Sequence, residues 1–201
     1  MEIINLFNTV KRVGINVVDF FICKDYKDAE NFLNKHKKIV LKLYSDKIVH
    51  KTEYKAVFTN ITDKNMLKNA WDKLIILKKK YGGYIMAQKH VDGIELIVAL
   101  KRDEIFDYVI MVGLGGIYVE VFKDVVFLPL DANENEIMKG LQMLKSFEVI
   151  KGARGRKNNI KALIKLIKKL KQLTKYNFNV IEFNPVILNE KDCYVVDIRV
   201  E

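Results

Sequence analysis

Apolar side chains recur three or four positions apart in several stretches of this chain and alternate with polar ones in others, so it encodes both helices and strands. Ile3, Phe7 and Val10 predict a short helix over residues 3–12, ended by Gly14. Val17 to Cys23 reads as a strand. Asp25 or Asp28 is placed to cap a helix through Ala29, Phe32 and Leu33. Ile39 to Leu43 is an apolar strand interrupted by Lys42, and a polar loop runs from Ser45 to Glu53. Tyr54 to Thr59 alternates again. Asp63 opens a strong helix through Leu67, Ala70, Trp71, Leu74 and Ile75, which Gly82-Gly83 stops.

The later part is richer in strands. Tyr84–Gln88 and Ile94–Leu100 are predicted strands joined by His90-Val91-Asp92-Gly93, a turn by its Asp-Gly pair. Val109–Val112, Ile117–Val121 and Val125–Leu128 continue the sheet. A helix follows over Glu134–Phe147, and Asn158 or Asn159 caps a lysine-rich helix. The end reads as a hairpin: Asn179–Phe183, Val186–Leu188, a turn at Asn189–Asp192, then Cys193–Ile198. The fold class is α+β with two lobes, residues 1–84 and 85–201.

Between Met111 and Val125 an apolar strand breaks into Gly113, Gly115 and Gly116 and resumes as Ile117, Val119 and Val121. Glycines let the backbone take positive φ and approach a bound group closely. Exposed N–H groups in such a turn can point at an anion, although a tight turn between strands uses the same residues.

The chain has 201 residues, 35 basic and 25 acidic, for a net charge of +10. Such a balance suits nucleic acid, but equally a nucleotide or CoA ligand. Much of the excess lies in Arg154–Lys175, where lysines interleave with Ile160, Leu163, Ile164, Ile167 and Leu170, the pattern of an amphipathic helix with a solvated face. No zinc spacing or RNA-binding aromatic pair accompanies it, so no specific nucleic-acid binding is expected. The two cysteines, Cys23 and Cys193, have no metal-like spacing. No apolar run reaches the roughly 20 residues of a spanning helix, and the first residues lack the features of a signal peptide. A cytoplasmic protein is expected.

Three groups could carry chemistry. Lys42 sits midway along an apolar strand and must reach solvent or meet an anion. His50-Lys51-Thr52-Glu53 follows in a donor-rich loop. Asn184 and Asp197 approach each other if the last strands pair, and an amide oxygen with a carboxylate makes a hard donor pair suited to Mg²⁺.

In their order along the chain, these residues resemble the ATP-grasp β subunit or β domain of ADP-forming acetate–CoA ligases. More distantly the chain is similar to the succinyl-CoA synthetase β subunit. The resemblance runs through Ile39–Glu53, Gln88, Gly93–Val98, Arg102-Asp103 with Phe106, Gly113–Ile117, Val119-Glu120, Lys123–Val125, Gly152–Gly155, Glu182–Pro185 and Val196–Arg199. It implies an ATP-grasp fold with nucleotide held between two lobes. It implies that Lys42 contacts ATP phosphates, that Gln88, Lys89, His90 and Val91 form the adenine hinge, and that Glu95 lies near the ribose. Asn184 and Asp197 would hold Mg²⁺, and Gly115, Gly116, Glu120 and Arg154 would form a phosphate or substrate loop. His50 would relay a phosphoryl group to or from a phosphohistidine on a partner α subunit that binds CoA. The implied reaction converts acyl-CoA, ADP and phosphate to acid, CoA and ATP.

The sequence departs from the family pattern in three places. Lys55-Ala56 stand where the family has Gly-Gly, Asp107-Tyr108 stand where it has Gly-Pro, and an arginine between Phe127 and Pro129 is missing. The first change leaves a catalytically degenerate nucleotide-binding regulatory subunit as the alternative.

Overall fold

A computed structural model of the chain describes residues 3–45, 47–48, 54–116, 123–152 and 157–201. These residues form two compact units, 18–91 and 1–17 with 92–201. The expected boundary at residues 84 and 85 falls at the start of a strand that is central to the first sheet, so the first unit continues to Val91. The opening helix joins the second unit.

In the first unit, β1 (Phe20–Cys23), β2 (Ile39–Tyr44), β3 (Val57–Ile61) and β4 (Tyr84–Lys89) form an antiparallel sheet in the order β1-β4-β2-β3. The strand expected from Val17 begins only at Phe20, while Val17 makes an isolated bridge to Val195. Two helices, α2 (Tyr26–His36) and α3 (Lys64–Tyr81), accompany the sheet; α1 (Ile3–Arg12) belongs to the other unit. Asp25 caps α2 by accepting from the Asp28 N–H, and Asp63 caps α3 by accepting from the Met66 N–H. Leu67, Ala70, Trp71 and Leu74 recur along α3 at helical spacing, and they pack with Ile39, Leu41, Leu43, Ile85 and Ala87 in one core. Strand side chains alternate between faces, so Val40, Lys42 and Tyr44 point away from that core. Those three are buried as well.

In the second unit, β5 (Ile94–Asp103), β6 (Asp107–Leu114), β7 (Val125–Pro129), β8 (Val180–Leu188) and β10 (Ile198–Val200) run in the order β10-β8-β5-β6-β7. β9 (Cys193–Val195) also pairs with β8. Thus β4 and β5 lie in different sheets, and the Asp-Gly turn before β5 joins no hairpin: such a turn records a local bend and not the partner of the strand that follows. The C-terminal hairpin forms with one continuous strand, β8, against two short ones, because the ladder is interrupted at Val196 and Asp197. The strand expected over Ile117–Val121 lies outside the described residues.

The helix expected over Glu134–Phe147 is two helices, α4 (Glu134–Gln142) and α5 (Phe147–Lys151). The break has a cause far upstream in sequence. The Asp124 carboxylate accepts from the N–H groups of Lys145 and Ser146, at 3.0 and 2.8 Å, and so takes donors that a continuous helix would have used internally. Burial pushes the Asp124 carboxyl up, but the hydrogen bonds from Ser146 and Lys145 outweigh it and leave it below its ordinary range. A carboxyl depressed by folding contributes stability above its ordinary pKa and loses it as pH falls through the lower, folded value. Asp124→Asn is therefore expected to cost about 1 kcal/mol near neutrality, as for a lost cap, and to flatten the acid limb of the stability curve measured by thermal unfolding. An unchanged acid limb would count against this linkage.

A basic helix, α6 (Ile160–Lys169), is capped by Asn159, which accepts from the Ala162 N–H, and runs on as a 3₁₀ turn over Leu170–Tyr176. Leu163, Ile164, Leu166 and Ile167 form its buried side. Among the described residues no helix is long and apolar enough to cross a membrane.

Candidate functional site

Each unit brings sequence-predicted residues together on one face of its sheet. In the first, Lys42 pairs in register with Met86 and Val40 with Gln88, so Lys42 and Gln88 share the face turned away from the helices. Both are buried, at 6% and 1% exposure, in a sheet whose other positions on that face are mostly apolar. A buried ammonium is costly without compensating contacts, which sets Lys42 apart from an ordinary edge lysine. The segment after Gln88 is fixed by its backbone: the Lys89 N–H donates to the Asp19 carbonyl at 2.9 Å, and the His90 N–H to the Lys38 carbonyl at 3.0 Å. His90 and Val91 are half-buried and Lys89 is exposed.

In the second unit, Gly140 of α4 packs on Leu128, which shares a face with Ile110 and Leu100. That face is the core. Glu95 has the opposite parity on β5. Asn184 follows the core-facing Phe183, and two β8 residues, Asn184 and Pro185, stand against one on β5, Ile97. Such a bulge turns Asn184 to the face that carries Glu95. The pairs Val186 with Val195 and Phe183 with Ile198 keep one register across the interrupted ladder, so Asp197 falls opposite Asn184. The pairing expected from sequence is thus present. An oxygen of the Asp197 carboxylate accepts from the Ile198 N–H at 3.0 Å.

The glycine turn meets these residues at the end of β6. The Gly115 N–H donates to the Glu95 carbonyl at 2.8 Å, and the Gly116 N–H donates to Asn184 Oδ1 at 3.3 Å. Gly116 has φ +61°, and a Cβ there would run into the Glu95 carboxylate. Only glycine fits this position without displacing Glu95. Among the described residues no cluster of three His, Cys, Asp or Glu is present that could cage a metal. His50, Glu120 and Arg154 lie outside the described residues, and no geometry is assigned to them.

Two departures from the family pattern have a common feature. Lys55 has φ +51° and Asp107 has φ +61°. Each therefore keeps the left-handed backbone that glycine adopts without strain, in the places where the family pattern has glycine. Aspartate tolerates this region better than lysine, through local hydrogen bonding. Lys55→Gly is expected to raise stability by about 1 kcal/mol, read as a higher melting temperature. A lower one would mean that the Lys55 side chain holds the turn.

Asp124 was legible in the sequence as part of a matched segment but without a role. Its carboxylate, one residue before β7, anchors the link between α4 and α5. An isolated acid between a glycine turn and a strand was the only available signal.

Each unit is thus an antiparallel sheet accompanied by helices. Residues 5–201 match the family model described as an ATP-grasp domain, and the chain belongs to that family. It is 32% identical over 174 residues to the β subunit of ADP-forming acetate–CoA ligase II of Pyrococcus furiosus, covering 81% of this chain and 74% of that one. With the β subunit of ligase I of the same organism it shares 30% identity over 200 residues, covering 94% and 86%. The ADP-forming acetate–CoA ligase of Methanocaldococcus jannaschii is 33% identical over 195 residues, but this chain spans only 27% of that longer protein. A solved structure of dinucleotide-forming acetyl-coenzyme A synthetase 1 of Ca. Korarchaeum cryptofilum, in complex with coenzyme A, Ca-AMPCP and HgCl+, matches with a TM-score of 0.86 at 28% identity, covering 96% of this chain and 89% of that one.

Proposed function

We propose that the chain is the nucleotide-handling β subunit of an ADP-forming acyl-CoA synthetase that binds Mg-ATP or Mg-ADP and passes a phosphoryl group to or from a partner. The observation that carries this reading is the match to β subunits over most of their own length, joined to the shared face of Glu95, Asn184 and Asp197. Lys42 binds phosphate oxygens. Gln88, Lys89, His90 and Val91 hold the adenine, and Glu95 takes the ribose. Gly115, Gly116, Glu120 and Arg154 serve the phosphate or substrate side.

The donor set fits the metal. Asn184 and Asp197 offer hard oxygens, two in number, which suits a Mg²⁺ ion that keeps waters and takes phosphate oxygens rather than a fully protein-caged ion. The Gly116 N–H orients the Asn184 oxygen. When bound, the ion offsets phosphate charge.

His50 is the proposed relay. Its neutral imidazole attacks the phosphorus carried by the partner's phosphohistidine; that N–P bond breaks as a new one forms, and the group then passes to a terminal oxygen of ADP. The partner supplies the CoA site. In a structure of the Korarchaeum enzyme with coenzyme A and Mg-AMPPCP, the phosphohistidine segment points towards the nucleotide binding site, which supports the same division of labour.

The test is ATP formation from acyl-CoA, ADP and phosphate by this chain with a CoA-binding α subunit. ATP is expected only when both chains are present. Nucleotide binding without any ATP formation would favour the regulatory alternative, which the Lys55-Ala56 change supports.

A further inference from the structure

Seven lysines and no acidic residue fall within residues 157–176, against a net charge of +10 for the whole chain. Four of them, Lys161, Lys165, Lys168 and Lys169, line a groove of about 650 Å³ with Ile164 and, from α4, Glu134. Glu134 is bonded to Lys168 Nζ at 2.9 Å, and chiefly that hydrogen bond holds its carboxyl below the ordinary range. Lys169 Nζ donates to the Gly14 carbonyl. Lys161 and Lys165 have no hydrogen-bond or ion-pair partner among the described residues. They stand four apart on α6, a spacing at which like charges repel. A solvated helix face ordinarily mixes signs; this one does not.

We propose that the groove binds an acidic segment of a partner protein. Successive turns of α6 place the lysines about 5.4 Å apart, within reach of carboxylates four apart on a helix or two apart on a strand. From Lys161 to Gln172 the row spans about 16 Å, the length of a short strand and well under one turn of duplex DNA. The lining has no arginine fork and no aromatic ring on which a base could stack. Glu134 can accept from a peptide N–H, a donor that a phosphate backbone lacks. The buried Ile164 and the lysine stems give an apolar floor to a segment with mixed side chains.

The probe is a labelled glutamate decapeptide, followed by fluorescence anisotropy across a salt series. Wild-type chain should bind it at low salt, with affinity that falls as salt rises. The Lys161→Gln/Lys165→Gln variant should weaken binding by about tenfold. A control with the same charge change on α3, Lys79→Gln/Lys80→Gln, should stay within about twofold, because the interaction is local. The groove variant should melt no earlier than wild type, since a like-charge pair has been removed. Absence of peptide binding at low salt, or equal losses in both variants, would overturn the proposal. So would tighter binding of a single-stranded oligonucleotide of equal charge that the groove variant also loses, or a lowered melting temperature. None of these outcomes depends on Mg-ADP binding, which is measured on the same samples and tests the nucleotide reading separately.

Discussion

His50→Ala, assembled with a CoA-binding α subunit, should lose acyl-CoA-dependent ATP synthesis by about 10³-fold while still binding ADP. The imidazole is the proposed acceptor, and alanine has no atom that could carry the phosphoryl group between partner and nucleotide. The isolated chain cannot report this, because the proposed CoA site belongs to the partner. A rapid-quench measurement adds a readout beyond turnover: in the variant, label from the partner's phosphohistidine should remain on the partner. Wild-type turnover would mean that transfer is direct and that His50 is an ordinary loop histidine.

Lys42→Met should weaken nucleotide binding. Lys42 lies on the buried, helix-free face of the first sheet, in a strand whose six residues are all buried. A phosphate oxygen would accept a charge-assisted hydrogen bond from its ammonium. Methionine has a similar length and no charge. Losing one charge-assisted hydrogen bond, about 1.5–3 kcal/mol, corresponds to roughly ten- to over a hundredfold weaker ADP binding. A variant that melts well below wild type and binds ADP normally would make Lys42 structural.

The sequence made some of this arrangement legible because the relevant signals are local. Lys42 stands out against the run Ile39–Leu43, whatever that strand pairs with. Asn184 and Asp197 could be paired because the intervening turn at Asn189–Asp192 fixes one register, and that register survives the interruption at Val196 and Asp197. The caps Asp25, Asp63 and Asn159 were readable for the same reason.

What was not legible depends on distant partners. Nothing in His90–Gly93 says that β4 and β5 belong to separate sheets. Helical periodicity continues from Glu134 to Phe147, yet a carboxylate some twenty residues upstream takes the N–H groups of Lys145 and Ser146. The left-handed backbone at Lys55 and Asp107 was hidden because neither residue type announces it. Glycine would have done so. The first 17 residues grouped with the second unit for a reason equally remote: Asn16 accepts from the Val195 N–H at 2.9 Å and donates through its side chain to Asp192 at 2.7 Å.

The central claim is that Asn184 and Asp197 serve a magnesium-bound nucleotide. Calorimetric titration of ADP into wild type and Asp197→Ala, each with and without Mg²⁺, tests it most directly. Wild type should bind ADP on the order of tenfold or more tightly with the ion than without it, the size of a coupling of about 1.4 kcal/mol or more. In Asp197→Ala that difference should collapse, while metal-free binding stays near the wild-type value. Equal losses with and without Mg²⁺, or a metal dependence that survives the substitution, would contradict the account.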